Sequence, residues 1–230
     1  MFLYYNFDYL IFMIPAFLIM MITQIYVNST YRKWSNVASN SRLNGAQAAQ
    51  TLIRREGLPN LQIEGVRGNL TDHYDPRSKT LRLSEKVYSQ ASVASLAIAA
   101  HELGHALQDA DDYFPLRFRA MLIPAVNIGS YMGWIFIFIG LLLNFPGLSW
   151  VGVAVFGLGA LFALATIPVE FNASSRAKQM LAESGIIMGD DEQRGVNAVL
   201  NAAALTYVAA LFTAVMQLLY YVSFISGRRR

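Results

Sequence analysis

The chain has 230 residues, of which 55% are hydrophobic and 14% charged, with a mean hydropathy of +0.37. Those proportions exclude an ordinary soluble domain and indicate a membrane protein. There is no cysteine, so disulfides and thiolate ligands are excluded, and the net charge of +3 comes from scattered basic residues rather than a nucleic-acid-binding stripe. A small basic excess suits a partner of another kind, the anionic headgroups of a lipid bilayer.

Residues 1–27 form an expected transmembrane anchor: "YLIFMIPAFLIMMITQIYV", Tyr9 to Val27, is uncharged and about long enough to cross a bilayer. The preceding "MFLYYNFD" lacks Lys and Arg, and no small-residue cleavage site follows. This reads as a retained anchor with its start outside, not a cleaved signal peptide.

Residues 28–119 form a mixed polar segment, the expected water-facing domain. "NGAQAAQTLIRREGL" has a helical pattern with Gly57 and Pro59 as stop signals. In "LTDHYDPRSKTLRLS" two extended runs flank "DPRSK", and Leu81 and Leu83 alternate with polar residues, which predicts a hairpin with one buried face. A helix is then expected from about Glu85 to Gln108, carrying Ala94, Ile98, His101, His105 and Gln108 on one stripe.

Residues 120–169 contain no charge and carry "NFPGLS" at their middle, the pattern of a transmembrane hairpin. Residues 170–198 then return to the water-facing domain, and 199–226 form a further apolar helix ahead of "RRR". The run from Gly195 starts Ala-rich and Asn-containing, so its first part is expected to pack in the water-facing domain. Segment 28–119 holds twelve Lys or Arg residues and the N-terminus none, which places this segment in the cytoplasm of a multi-pass cell-membrane protein. Four crossings would leave the tail outside, against the same rule. The sequons at Asn28 and Asn172 are read as chance.

The chemistry resides in "AIAAHELGHALQDADD", Ala97 to Asp112. On a helix, His101 and His105 lie one turn apart and can share a metal ion, and Glu102 beside them can take a proton from a metal-bound water. A catalytic zinc needs a third protein ligand and an open position. Asp109 continues the stripe, but one short helix rarely supplies all three ligands. Glu170 is the better candidate, because a carboxylate ending an apolar helix is costly unless paired or metal-bound, and Ala173, Ser174, Ser175 and Ala177 permit close helix approach. Asp109, Asp111 and Asp112 are then read as a solvated helix end, and Gly104 as a mark of close backbone approach. His73 is read as a half-exposed hairpin residue, with a role toward substrate as its functional alternative.

"AAHELGHALQ" followed by "PVEFNASSRA", with "DHYDPRSKTLRLS" upstream and membrane helices around them, resembles the YugP-type neutral zinc metallopeptidases of bacterial membranes. More distantly the motifs resemble gluzincin membrane proteases of the heat-shock and prenyl-protein-processing kind, whose second motif reads E-F/Y-x-A-D. The resemblance implies a mainly α membrane protein with a zincin-like metalloprotease domain, a small β-hairpin and three to four transmembrane helices. It implies one zinc per chain on His101, His105 and Glu170, Glu102 as catalytic base, and endopeptidase action on peptide or protein substrates that are membrane-associated or unfolded. Ser174 departs from the aspartate that orients a ligand histidine in those relatives, which leaves Asn172 and Ser174 as candidates for that hydrogen bond.

Three rival readings fit the residues less well. A di-iron site needs a second E-x-x-H, and Leu70 occupies the required position before His73. A transporter would carry its ionisable groups at mid-membrane rather than at the ends of spans. The remaining alternative is a non-catalytic membrane scaffold or holdase with a structural metal site.

Overall fold

The structure is a computed structural model and describes residues 2–227. It is mainly helical with one small sheet, in the order α1 (Phe2–Ser35), α2 (Gly45–Arg55), β1 (Gln62–Val66), β2 (His73–Asp75), β3 (Thr80–Ser84), α3 (Glu85–Ser89), α4 (Val93–Ala110), α5 (Phe114–Leu142), α6 (Pro146–Glu183) and α7 (Asp190–Gly227). Four of the helices, over Phe7–Ser35, Phe114–Leu142, Pro146–Glu183 and Asp190–Gly227, are long and apolar enough to cross a membrane. The "RRR" tail lies outside the described residues.

Contacts divide the chain into two compact units. The first comprises Met1–Gln24, Phe114–Pro168 and Thr206–Arg230, and the second Ile25–Tyr113 and Val169–Leu205. Helices α1, α6 and α7 each contribute residues to both.

In the first unit, "NFPGLS" makes the expected turn: Asn144 takes a left-handed φ of 54° and Pro146 opens α6, where its missing N–H is no loss. Helices α5 and α6 approach through glycine. A Cβ built on Gly133 would lie 3.0 Å from the Gly152 carbonyl, and one on Gly152 2.7 Å from the Gly133 carbonyl. Ile137, Val153, Tyr221 and Ile225 form a small buried cluster beside them.

The second unit has the larger core. Helix α2 starts with a capping box, in which the Asn44 side chain accepts from the Gln47 N–H and the Gln47 side chain accepts from the Asn44 N–H. It ends before Gly57, whose φ of +70° suits a residue without Cβ. The expected hairpin is present as antiparallel β2 and β3. Its buried face carries Leu81 and Leu83, both without exposed surface. A strand not foreseen, β1, pairs parallel with β3 on the other side, giving the order β1-β3-β2. Its sequence "QIEGV" is short and largely exposed, so no alternation betrays it.

The helix expected over Glu85 to Gln108 is two helices. Gln90 is extended (φ −91°, ψ 131°), Ser92 bridges to Ala38, and the Ser92 hydroxyl accepts from the Ser95 N–H as the N-cap of α4. The break starts α4 afresh, with Leu96, Ala99, Ala100 and Leu103 completely buried. The first part of α7 packs in this unit as expected, with Val196, Val199, Leu200 and Ala202 buried.

Candidate metal centre

All residues of the candidate centre belong to the second unit, on α4 and the last four turns of α6. His101 and His105 stand one turn apart on α4, and Glu170 and Ser174 one turn apart on α6. What lets these helices meet is Gly104. A Cβ there would sit 2.6 Å from the Ala173 carbonyl oxygen, so only glycine allows this approach.

The two imidazoles share one geometry. The Nε2 atoms of His101 and His105 lie 3.3 and 3.5 Å from the same Glu170 oxygen, Oε2. Their Nδ1 atoms turn away, that of His101 to the Ser174 hydroxyl at 3.2 Å and that of His105 to Gln108 Oε1 at 3.0 Å. One ligand atom from each of His101, His105 and Glu170 falls within 4.8 Å of the others.

This donor set fits zinc. Ligand atoms of a tetrahedral ion with bonds of about 2.0–2.2 Å lie roughly 3.4 Å apart, close to the separations across Glu170. The site is also sheltered, since the histidine side chains are 12% exposed and that of Glu170 only 4%. A buried carboxylate facing two imidazole nitrogens needs a cation between them, a proton or a metal. Burial disfavours charge on His105, but its hydrogen bond to Glu170 and the fields of Glu102 and Glu170 outweigh this and raise its pKa. Glu102 lies one residue round the helix from His101 and is almost buried.

The remaining predicted residues separate. Asn172 accepts through Oδ1 from Gln108 Nε2 at 3.0 Å and Arg176 Nε at 2.9 Å, one step behind the histidines. Ser174 touches His101 directly. His73 is exposed on β2 with its Nδ1 2.9 Å from the Thr71 carbonyl, and is not part of the three-residue group.

Asp109 corrects the picture of a solvated helix end. It is buried, accepting from the Tyr74 hydroxyl at 2.6 Å and from Lys79 Nζ at 2.5 Å, because β2 and the β2–β3 turn close over that end of α4. Asp111 remains partly exposed and pairs with Arg176. Gln108 and Arg176 were not singled out from sequence as site residues. An amide on the buried stripe of an apolar helix, three residues after a candidate ligand, was the available signal, because such a group must be hydrogen-bonded.

The chain matches the protein-family model described as "Putative neutral zinc metallopeptidase" over residues 9–226. It is also 43% identical over 206 residues to the protein named "Putative membrane protease YugP" of Bacillus subtilis (strain 168), covering 89% of this chain and 91% of that relative. No solved structure matches it. With a family match running from the first apolar helix to the last, and a His-His-Glu group of zinc-binding character in the fold, the chain belongs to the putative neutral zinc metallopeptidase family.

Proposed function

We propose that this protein is a membrane-embedded zinc metalloendopeptidase of zincin-like fold, with one zinc per chain held by His101, His105 and Glu170 and with Glu102 as general base. The observation that carries this reading is the convergence of both Nε2 atoms on Glu170 Oε2 while both Nδ1 atoms are engaged elsewhere. Two imidazoles so arranged present their free lone pairs to one point.

Zinc, when bound, supplies a Lewis acid that polarises a scissile carbonyl and makes water acidic near neutral pH. The chain's own residues do the rest. Glu102 accepts the proton of the attacking water and later delivers it to the leaving amine. Ser174, in the place of the aspartate of more distant relatives, holds the His101 ring through Nδ1.

A substrate in extended form fits the sheet. The strand over Thr80–Ser84 is central and has both edges paired, so it is not available for strand addition. The proposed place for strand addition is therefore the outer side of β2, where a peptide would gain main-chain hydrogen bonds irrespective of sequence. Membrane-associated or unfolded segments are the proposed substrates, and the second unit is proposed to face the cytoplasm.

The test is Glu102→Gln in the full-length, detergent-solubilised chain, assayed with a fluorescently labelled unfolded protein and by metal analysis. Zinc should remain at one per chain while cleavage falls at least about 100-fold. Undiminished cleavage rejects the mechanism, and a wild-type chain that binds zinc yet cuts nothing returns the scaffold reading.

A further inference from the structure

Gln108 has no exposed surface, yet it is a polar side chain in the middle of a helix–helix contact. Its amide makes three hydrogen bonds, and their directions follow from partners that admit one role. The Arg176 guanidinium only donates, so its Nε at 2.9 Å identifies the oxygen end of Asn172. The Val169 carbonyl only accepts. Gln108 Nε2 lies 2.7 Å from the Val169 oxygen and 3.0 Å from Asn172 Oδ1, so this end of the amide must be the NH2 group. The oxygen end therefore faces His105 Nδ1 at 3.0 Å. An oxygen acceptor there requires a hydrogen on Nδ1, which leaves the lone pair on Nε2, the atom 3.5 Å from Glu170.

We propose that Gln108 is a positioning residue that holds His105 in its Nδ1–H tautomer, so that Nε2 is presented as a ready metal donor. The Val169 carbonyl and Asn172, itself held by Arg176, set the orientation of the Gln108 amide. The chain of bonds runs from Arg176 on α6 through Asn172, also on α6, to Gln108 and His105 on α4. Together they take the part that a carboxylate plays behind a ligand histidine in many zinc sites. An amide does this without adding a further carboxylate beside Glu170 and Glu102. The proposal rests on the metal reading above for its purpose, but the tautomer itself is a property of the metal-free chain.

The experiment compares wild type, Gln108→Met, Gln108→Glu and Gln108→Leu as full-length protein in detergent. Histidine-labelled, metal-free samples give the tautomer by long-range proton–nitrogen correlation, at a pH where the imidazoles are neutral. Zinc affinity comes from competition with a chelator. Wild-type His105 should show a single tautomer with its proton on Nδ1. Gln108→Met, similar in volume but without the amide, should show a tautomer mixture and bind zinc about 10–100-fold more weakly. Gln108→Glu restores an oxygen opposite Nδ1 and should recover the single tautomer, a rescue that a purely packing role would not produce. Should Gln108→Met fail to fold, Gln108→Leu carries the comparison, because it also removes the amide, with a side chain of different shape, and should also mix the tautomers.

An unchanged tautomer together with zinc affinity within about twofold of wild type in Gln108→Met, or in Gln108→Leu if only that variant folds, overturns the proposal. A wild-type chain that binds no zinc overturns the metal reading instead, while the tautomer measurement still decides the role of Gln108.

Discussion

Leu52, Leu81, Leu83, Leu96 and Leu103, in the unit that carries the candidate metal centre, have no exposed surface, whereas Met121, Tyr131, Leu142 and Leu143, in the other unit, are 76%, 77%, 71% and 66% exposed. What helix α5 of that unit buries is mainly glycine, Gly129, Gly133 and Gly140, with Ile137 beside them. Residues of one chemical class go inward in one unit and outward in the other. Hydrocarbon solvates leucine as well as a protein core does, so a helix in lipid gains little by hiding it and more by bringing backbones close through small residues. Water reverses this, and the unit built on a leucine and alanine core gains from apolar burial. That unit is also where the carboxylates of Asp109 and Glu170 and the amide of Gln108 are buried, each with a partner. Seven substitutions probe this contrast.

The largest effect is expected from Glu170→Leu. The polar burial in the metal-centre unit is held to serve the ion, so the variant should retain essentially no zinc and no peptidase activity. Its metal-free stability should nevertheless be equal to or above that of the metal-free wild type, since an apolar side chain replaces a buried carboxylate. Metal analysis and urea unfolding in micelles check both halves, and retention of one zinc per chain would remove Glu170 from the ligand set.

Next comes a matched pair. Leu83→Ala opens a cavity in the core around β3 and should cost about 2–5 kcal/mol, while Leu142→Ala, at an exposed apolar position, should cost less than about 0.5 kcal/mol. Equal losses would mean that both units draw on the same driving force. Glycine gives a smaller, inverted pair. Gly104→Ala places a methyl group 2.6 Å from the Ala173 carbonyl oxygen and should cost about 1–3 kcal/mol, weakening zinc binding as α4 and α6 part. Gly159→Ala meets nothing within 4 Å and should gain up to about 1 kcal/mol from helix propensity.

The sequence made one unit much easier to read than the other. Uncharged runs announce helices regardless of their neighbours, so the apolar helices and the turn at Asn144 to Pro146 were legible from composition. In the unit of the candidate metal centre, the juxtaposition of His101 and His105 was legible because a fixed spacing on one helix needs no tertiary information. Glu170 was legible as a charge out of place at the end of an apolar run. Three features were not. Strand β1 carries Glu64 and Gly65 and depends on β3 for its pairing, a long-range fact. The break at Gln90 to Ser92 depends on the bridge to Ala38. Asp109 sits in a triplet of acids that suggests solvent, and only the closure of Tyr74 and Lys79 over it makes it buried.

The smallest expected effect tests whether a half-buried carboxylate away from the metal centre also needs its charge. Asp72 accepts from the Ser84 N–H at 2.7 Å and from the Ser84 hydroxyl at 2.9 Å, tying the approach to β2 to the end of β3. Burial pushes its pKa up, more than the two Ser84 bonds pull it down. The folded state thus favours the protonated acid. The associated stability is fully present below the unfolded carboxylate pKa of about 3.9 and is lost as pH rises through the raised folded value. Asp72→Asn keeps an oxygen for the Ser84 N–H and removes the charge, so its stability relative to wild type should improve on passing upward through that window and level off above it. At neutral pH the difference should be within about 0.5 kcal/mol. Asp72→Ala leaves the Ser84 N–H, at a residue without exposed surface, unpaired and should cost about 1–3 kcal/mol at every pH. Unfolding curves of the two variants between pH 4 and pH 8 separate the acceptor from the charge: if Asp72→Asn is as damaging as Asp72→Ala, ionisation itself holds this junction together, and the metal-centre unit tolerates buried charge beyond its proposed zinc ligands.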